Sequence, residues 1–186
     1  MERRRRSIRL PDYDYGEVGA YFVTICTQGR ALFLDDPLVR AAAERCWLEL
    51  PDHFPKVELD AWVIMPNHLH GILVIDDDTS ESGGRGVQLN APTSGRSLDN
   101  SHSRMSPVLG SLGVIIRTYK GVVTRKCRKA GLDYFGWQRN YYEHIVRNEQ
   151  ERDRIHEYIQ NNPFNWDQDE YNPAIGTSAA DARRRA

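Results

Sequence analysis

Two adjacent segments with strand character, separated by Pro66-Asn67, constrain the fold of this chain more than any other feature. Residues 57–65 alternate apolar and polar side chains well enough for a strand, and residues 68–75 are apolar apart from one glycine and two histidines. Apolar runs bounded by turn residues are typical of strands, and proline followed by asparagine is a turn signal. The pattern therefore predicts a β-hairpin.

The rest of the chain supplies two further strands and three helices. β-Branched and aromatic residues predict strands over residues 21–26 and 135–142. Helical spacing of apolar side chains predicts helices over residues 38–50, 109–129 and 149 to 161 or 162, the last capped by Asn148. The order β-α-β-β-α-β-α predicts an α+β fold, a ferredoxin-like or RRM-like sandwich whose antiparallel sheet carries its helices on one face.

The length of 186 residues predicts one domain, which we place over residues 1–166. Residues 76–107 are rich in serine, glycine, aspartate and asparagine, which predicts a flexible insertion, and residues 167–186 are predicted to form a disordered tail. The sequence has no run of 18 apolar residues, no apolar stretch near its start, and only three widely spaced cysteines. We therefore expect a cytoplasmic protein with reduced thiols and no membrane contact.

Basic residues are segregated along the chain, although its formal net charge is only -1. One cluster spans residues 3–9, and a second spans residues 117–129, where no acidic residue intervenes. Segregated charge of this kind fits a protein with one phosphate-facing side, and it also fits a solvated helix face and a loose tail. The candidates for contacts with DNA phosphates are Arg3, Arg4, Arg5, Arg6, Arg117, Lys120, Arg125 and Lys126.

His68 and His70 stand at alternate positions of the third predicted strand. Residues i and i+2 of a strand project from the same face, so the two imidazoles can bind one divalent cation. Neutral imidazole suits manganese and the later first-row metals better than magnesium. An isolated pair of this kind is also compatible with polar surface residues, but here the flanking residues are apolar and a turn lies next to the pair.

The last predicted helix offers a nucleophile and a further ligand. Tyr158 and Asn162 are four residues apart and therefore share one helical face. A phenol oxygen can act as a nucleophile in covalent catalysis, and an amide oxygen can complete a metal shell. A half-buried core position is the alternative for Tyr158, and Tyr119, Tyr141 and Tyr142 are candidates for the nucleophile by the same reasoning.

Three segments resemble sequence motifs of a known family. Met65-Pro-Asn-His-Leu-His-Gly-Ile-Leu-Val74 resembles the HUH signature (histidine, bulky apolar residue, histidine) of single-tyrosine transposases. Residues 137–147, which begin Trp-Gln-Arg, and residues 158–163, Tyr-Ile-Gln-Asn-Asn-Pro, resemble the branch called REP-associated tyrosine transposases. The motifs occur in the expected order, and the resemblance covers roughly residues 15–166.

The resemblance implies an RRM-like fold, a divalent metal ion (Mg²⁺ or Mn²⁺) and a tyrosine nucleophile on a late helix. By position, His68 and His70 match the metal-binding histidines, and Tyr158 matches the nucleophile, with Tyr141 ranked second. Asn162 stands where many relatives carry a glutamine that completes the metal shell. Because its side chain is shorter, the amide oxygen of Asn162 must reach further than that of a glutamine.

The resemblance also implies a transposase activity: metal-dependent cleavage and transfer of single-stranded DNA that carries a hairpin or repeat, as in DNA transposition and recombination. The tyrosine would form a 5′-phosphotyrosine intermediate, which retains the bond energy needed for rejoining. A phenol has an unperturbed pKa of about 10 and needs help to ionise, which a nearby cation can give. Glu143 and His144 are candidates for a general base, and also for anchors of the turn between strand and helix.

Two other functions are compatible with parts of this pattern. A non-catalytic, domesticated nucleic-acid-binding module would keep the sheet, but the presence of both histidines and the tyrosine favours the enzyme. A metallohydrolase for small molecules often uses a barrel of roughly 250 residues, which this chain is too short to form. The candidates for stacking on unpaired bases are Trp137, Tyr141 and Tyr142, with core packing as the alternative. The sequence is compatible with both a homodimer and a monomer.

Overall fold

The computed structural model describes residues 18–76 and 110–175. Its strands are β1 (Gly19–Cys26), β2 (Val57–Ile64), β3 (His68–Ile75) and β4 (Tyr142–Val146). They form one antiparallel sheet in the order β2-β3-β1-β4. Because β2 and β3 pair directly, the predicted hairpin is confirmed, and the sheet with its helices confirms the predicted α+β fold.

Helices occupy most of the remaining described residues. The α-helices are α1 (Pro37–Leu48), α2 (Leu50–His53), α3 (Leu112–Lys129) and α4 (Glu149–Asn161), and the 3-10 helices are Gln28–Arg30, Phe33–Asp35 and Asn162–Gln168. The side chain of Asp36 caps α1 by accepting a hydrogen bond from the backbone N–H of Leu38 at 2.8 Å. Asn148 caps α4 in the same way, as predicted, with the N–H of Glu151 as donor at 2.9 Å.

The two faces of the sheet are covered by different helices. One face carries Leu69, which packs in the main hydrophobic core with residues of α1 and α3. The opposite face carries Phe22 and Ile72, which pack with α4 in a smaller cluster. The predicted placement of helices on one face thus holds for α1 and α3, whereas α4 lies on the other face. The reason is the short apolar stripe of Ile155 and Ile159, which buries that second face.

Gly71 allows α1 to approach the strand that carries both histidines. A Cβ atom at Gly71 would lie 2.5 Å from Cζ2 of Trp47 on α1, and 3.2 Å from Cβ of Trp62. Trp47 is fully buried, so its ring has no free space to move into. The glycine therefore sets how closely α1 packs behind β3.

The fourth strand lies later in the sequence than predicted. β4 begins at Tyr142 rather than spanning residues 135–142. Phe135 is buried in the main core, and Trp137 forms a single bridge with Thr27. The aromatic residues that suggested a strand are thus used for packing, because tertiary contacts override local strand propensity.

The predicted disordered tail is wrong for residues 167–175. The structure places these residues in contact with the folded domain and buries Asp169 and Asn172. The rest of that tail, nearly all of the predicted insertion, and the arm of Arg3, Arg4, Arg5 and Arg6 lie outside the described residues. Over the two described stretches, no helix is long and apolar enough to cross a membrane.

Candidate metal centre and active site

His68 and His70 project from β3 on the face of the sheet that α4 covers. Their ring centroids are 4.4 Å apart, and both side chains are buried, with exposures of 0% and 1%. Pairing with β1 sets Cys26 opposite His68 and Thr24 opposite His70. The structure therefore brings the predicted histidine pair together as two adjacent imidazoles in the protein interior.

Asn67 fixes the tautomer of His68. Its Nδ2 donates hydrogen bonds to the backbone carbonyls of Arg30 at 3.0 Å and Tyr171 at 2.7 Å, so Oδ1 is the accepting end of the amide. This Oδ1 lies 2.8 Å from Nδ1 of His68, which therefore carries the proton and donates it. Nε2 of His68 is left with a lone pair, as a metal ligand requires.

His70 is held in a similar way by a neighbouring strand. Its Nδ1 lies 2.9 Å from Oγ1 of Thr24, and its Nε2 lies 3.2 Å from the hydroxyl of Tyr158. Both partners are hydroxyl groups, which can donate or accept, so they fit either tautomer of His70. In the tautomer that a metal ligand needs, Nδ1 donates to Thr24 and Nε2 faces the site, as Nε2 of His68 does.

Burial keeps both imidazoles neutral. Desolvation lowers the pKa of His68 to about 3, and the charge of Arg30 acts in the same direction. Desolvation also lowers the pKa of His70 to about 3, with a further contribution from the charge of His68. Both side chains are therefore in the unprotonated form that binds a metal near neutral pH.

Asp169 joins the histidine pair, although sequence analysis placed it in the tail. Its Oδ2 lies 3.8 Å from Nε2 of His68, and the ligand atoms of His68, His70 and Asp169 all lie within 4.8 Å of one another. Oδ2 of Asp169 and Nε2 of His68 are both buried, and neither has a hydrogen-bond partner in the described part of the chain. Buried polar atoms are normally satisfied, so these two atoms indicate a site for a further group.

Residues 169–172, here called the C-terminal strap, are fastened over the histidines. Nη1 of Arg30 donates to the carbonyl of Glu170 at 3.0 Å, and its guanidinium lies 4.6 Å from the ring centroid of Tyr171. Nδ2 of Asn67 donates to the carbonyl of Tyr171, whose own N–H donates to Oδ1 of Asp169 at 2.7 Å. Asn67 therefore supports His68 and, through the strap, Asp169.

The geometry of these donors fits a divalent metal ion. Bonds from such an ion to nitrogen or oxygen are about 2.0–2.2 Å long. Nε2 of His68 and Oδ2 of Asp169, which are 3.8 Å apart, are close enough that both residues could hold one such ion. Two imidazoles and one carboxylate suit manganese, iron and later metals better than magnesium.

Asn162, the predicted third ligand, lies in the same cleft as Tyr158 and Asp169. The residue is only 4% exposed, and its Oδ1 is buried without a hydrogen-bond partner among the described residues. The site thus contains an amide oxygen and a carboxylate. The carboxylate of Asp169 is the stronger candidate ligand because its charge offsets that of a cation.

Tyr158 lies at the mouth of the site with 44% of its surface exposed. Its ring packs edge-on against Phe22 at 6.2 Å and lies 5.2 Å from the ring of His70. Burial, and next the charge of Asp169, raise the pKa of Tyr158 above its usual value. The phenol is therefore protonated near neutral pH, and a nearby cation is needed to ionise it.

The fold is similar to that of a solved transposase. A REP-associated tyrosine transposase, solved bound to a REP hairpin, matches with a TM-score of 0.51 and 22% identity, covering 88% of this chain and 73% of that chain. This similarity confirms the fold that the motif resemblance implies. A putative transposase of Deinococcus radiodurans R1 matches with a TM-score of 0.44 and 16% identity, covering 83% of this chain and 97% of that chain.

Sequence comparison assigns the chain to a family. An uncharacterized protein of Haemophilus influenzae (strain Rd) is 38% identical over an alignment of 174 residues, which covers 89% of this chain and 92% of that protein. The chain belongs to the family of this Haemophilus protein. No family model matches the chain.

The other candidate nucleophiles are less favourably placed. Tyr119 is fully buried on α3, where its hydroxyl donates to the carbonyl of Ala43 at 3.2 Å, and burial raises its pKa well above the usual value. Tyr141 packs against the main core. Tyr142 is exposed and packs edge-on against Phe22 at 6.4 Å, but Tyr158 is the tyrosine whose hydroxyl bonds a histidine of the site.

The two candidate bases on β4 serve other contacts. Nε2 of His144 pairs with Oε1 of Glu151 at 2.8 Å, which joins β4 to the first turn of α4. Glu143 lies opposite Val23 and therefore faces the main core side of the sheet. Of the two alternatives, the contact of His144 with Glu151 matches the anchoring of the turn.

The predicted phosphate contacts on α3 do not lie with the histidine site. α3 packs on the face of the sheet opposite to α4. Lys120 donates to the backbone carbonyl of Gln138, and Lys126 pairs with Glu49 at 3.0 Å. Arg117 and Arg125 are exposed on the same helix. A contact of these two residues with DNA, like that of Lys120 and Lys126, stays a prediction.

The sequence around Asp169 contains a signal against a disordered tail. Trp166 and Tyr171 flank Asp169, and disordered segments contain few aromatic residues. Their ring centroids lie 6.2 Å and 4.7 Å from that of His68. The aromatic residues on either side of the carboxylate therefore pack on the site that it completes.

Proposed function

We propose that this chain is a metal-dependent endonuclease and strand transferase of the REP-associated tyrosine transposase branch, acting on single-stranded DNA with a hairpin or repeat. The observation that carries the proposal is the hydroxyl of Tyr158, 3.2 Å from Nε2 of His70, beside the buried group of His68, His70 and Asp169. A nucleophile next to a candidate cation site is what phosphodiester cleavage through a covalent intermediate requires. The motif resemblance supports DNA as the substrate.

His68, His70 and Asp169 would hold the divalent ion, with Asn162 as a further oxygen donor. The ion, Mn²⁺ or Mg²⁺, would polarise a phosphate oxygen and offset the charge that develops in the transition state. Asn67 keeps Nε2 of His68 unprotonated for this purpose. The site's own residues thus prepare the ligands before DNA binds.

Tyr158 would carry the covalent step. Its phenol oxygen forms a bond to phosphorus as the bond between phosphorus and the 3′ oxygen breaks. The phenol loses a proton and the departing 3′ oxygen gains one, so that a 5′-phosphotyrosine and a free 3′-hydroxyl result. Rejoining reverses these changes when a 3′-hydroxyl attacks the phosphotyrosine. Packing against Phe22 holds the ring of Tyr158 in position at the exposed mouth of the site.

Covalent trapping tests the proposal. Fluorescent single-stranded DNA hairpins with unpaired flanks are incubated with the protein and Mn²⁺, and the products are separated by denaturing gel electrophoresis. We expect a labelled protein–DNA adduct from the wild type and none from Tyr158→Phe. Tyr142→Phe is the matched control, because Tyr142 is a similarly exposed tyrosine that packs on the same phenylalanine.

The histidine pair is tested in the same assay. The double variant His68→Ala, His70→Ala should form no adduct, and chelation of the metal by EDTA should abolish the adduct of the wild type. An adduct that persists in Tyr158→Phe would show that the nucleophile is wrong. A wild type that binds Mn²⁺ and hairpin DNA without forming an adduct would favour the non-catalytic binding module.

A further inference from the structure

We infer that a row of side-chain amides beside Tyr158 reads unpaired bases next to the cleaved phosphate, with a preference for adenine. The amide row consists of Asn161, Asn165 and Gln168. The inference rests on the proposed function, since it assigns a role in substrate recognition to the same cleft. It adds a source of sequence preference to a site whose metal ligands and nucleophile carry none.

The end of α4 sets the three residues in line. α4 ends at Asn161, and the 3-10 helix Asn162–Gln168 follows directly. Asn165 and Gln168 are three residues apart in the 3-10 helix and therefore lie on one side of it, and Asn161 directly precedes this helix. All three line the cleft of about 630 Å³ that also contains Tyr158, and a cleft of this size is typical of ligand sites.

The side chains of the amide row make no hydrogen bonds within the described part of the protein. All three side chains are exposed, and none of them hydrogen-bonds another residue of the described chain. Two other asparagines of this region differ in this respect. Nδ2 of Asn67 and Nδ2 of Asn172 donate hydrogen bonds to backbone carbonyls at 2.7 Å and 3.0 Å. The donors and acceptors of the amide row are therefore available to a ligand.

The charge of the cleft favours bases over phosphates as the partner of the amide row. Besides the candidate metal ligand Asp169, the charged residues that line the cleft are Glu157, Glu170 and one arginine, Arg154. Carboxylates repel the phosphate groups of a DNA strand, whereas a base edge is neutral. The strand would therefore place its cleaved phosphate at the histidine site and turn neighbouring bases toward the amides.

The chemistry of an amide accounts for the expected base. A side-chain amide presents a donor and an acceptor in one plane, and this pair matches N7 and the N6 amino group of adenine. Unpaired bases expose these edges without any need to open a duplex. One such contact discriminates between bases by about tenfold or more.

In vitro selection of DNA tests the inference without cleavage. Hairpin DNA with randomised unpaired flanks is bound in Mn²⁺ to Tyr158→Phe protein, and the bound fraction is sequenced. We expect enrichment of adenine at one or two unpaired positions. Adding Asn165→Asp and Gln168→Glu, which keep the side-chain shapes but replace amide donors by carboxylate oxygens, should reduce that enrichment about tenfold. Asn165→Ala with Gln168→Ala should do the same without adding charge.

Gln160→Ala is the matched control, because Gln160 is an exposed amide of α4 outside the lining of the cleft. Unchanged base enrichment in the amide-row variants, or no base enrichment in the Tyr158→Phe protein, would overturn the inference. The proposed function fails separately, through absence of the covalent adduct in the wild type. An adduct without amide-dependent base selection removes the inference alone, and amide-dependent selection without an adduct removes the enzyme alone.

Discussion

Nε2 of His68 faces Oδ2 of Asp169 across 3.8 Å, and both atoms are buried without a hydrogen-bond partner in the described part of the chain. The separation is too long for a hydrogen bond, and it suits two ligands of one ion. A buried carboxylate oxygen without a partner costs free energy. A bound cation would remove that cost, which links metal binding to the position of the C-terminal strap.

Asp169→Asn should weaken Mn²⁺ binding by on the order of 10–100-fold, because the amide lacks the charge that offsets that of the cation. Isothermal titration calorimetry of the purified protein measures the dissociation constant. Asp167→Asn is the control, since Asp167 is an exposed carboxylate two residues earlier in the chain. Equal affinity in Asp169→Asn and the wild type would exclude Asp169 from the ligand set.

Mn²⁺ should stabilise the folded protein. A ligand that binds only the folded state at 100 times its dissociation constant adds about 2.7 kcal/mol to the free energy of unfolding. Chemical denaturation with Mn²⁺ and with EDTA measures this difference. The double variant His68→Ala, His70→Ala should show no such difference, and a full Mn²⁺ effect in that variant would place the ion elsewhere.

Asn67→Ala should disturb both halves of the candidate metal centre. The variant removes the acceptor for Nδ1 of His68 and both donors to the backbone, including the bond that fastens the strap at Tyr171. We expect a loss of about 10–100-fold in Mn²⁺ affinity. Hydrogen exchange should also become faster in the C-terminal strap. Asn140→Ala, at an exposed asparagine, is the control, and unchanged exchange in the strap would contradict the role given to Asn67.

Much of the site was predictable because it depends on local periodicity. Alternation along a strand puts His68 and His70 on one face, and the cap at Asn148 starts the helix that carries Tyr158. Asp169 was not predictable in this way. Its position depends on Arg30 and Asn67, which are more than a hundred residues away in sequence and fasten the strap by backbone contacts.

The placement of helices shows the same limit. Helical spacing in the sequence identifies α3 and α4 but does not say which face of the sheet each one covers. That choice depends on which apolar sheet residues α1 and α3 leave uncovered, here Phe22 and Ile72, which α4 buries. As a result, the basic residues of α3 and the nucleophile of α4 lie on opposite faces, which a linear pattern does not reveal.

Gly71→Ala should destabilise the protein by about 1–3 kcal/mol, because its Cβ would overlap the buried ring of Trp47. Gly121→Ala is the opposite case. A Cβ there meets no atom within 4 Å, and alanine in a helix is favoured over glycine by roughly 0.5–1 kcal/mol. Urea denaturation measures both changes in the free energy of unfolding. A destabilisation of similar size in both variants would contradict the contact with Trp47.

Asp60 joins α4 to the sheet. Its Oδ2 accepts hydrogen bonds from Nε of Arg152 and Nε2 of His156, both at 2.8 Å. Burial raises the pKa of the Asp60 carboxyl, but the hydrogen bonds from His156 and Arg152 outweigh burial and lower the pKa below its usual value. Since Tyr158 follows two residues after His156, this contact also positions the nucleophile.

Asp60→Asn should therefore cost about 1–3 kcal/mol at pH 7 and slow adduct formation by Tyr158. A carboxyl with a lowered pKa stabilises the fold fully above its unfolded pKa of about 3.9, and this stabilisation is lost as the pH falls through the folded value. The difference in unfolding free energy between wild type and Asp60→Asn should thus shrink between pH 7 and pH 3. Asp153→Asn, at an exposed carboxylate of α4, should leave both readouts near wild type. A difference that stays constant with pH would show that the ionised Asp60 does not hold α4.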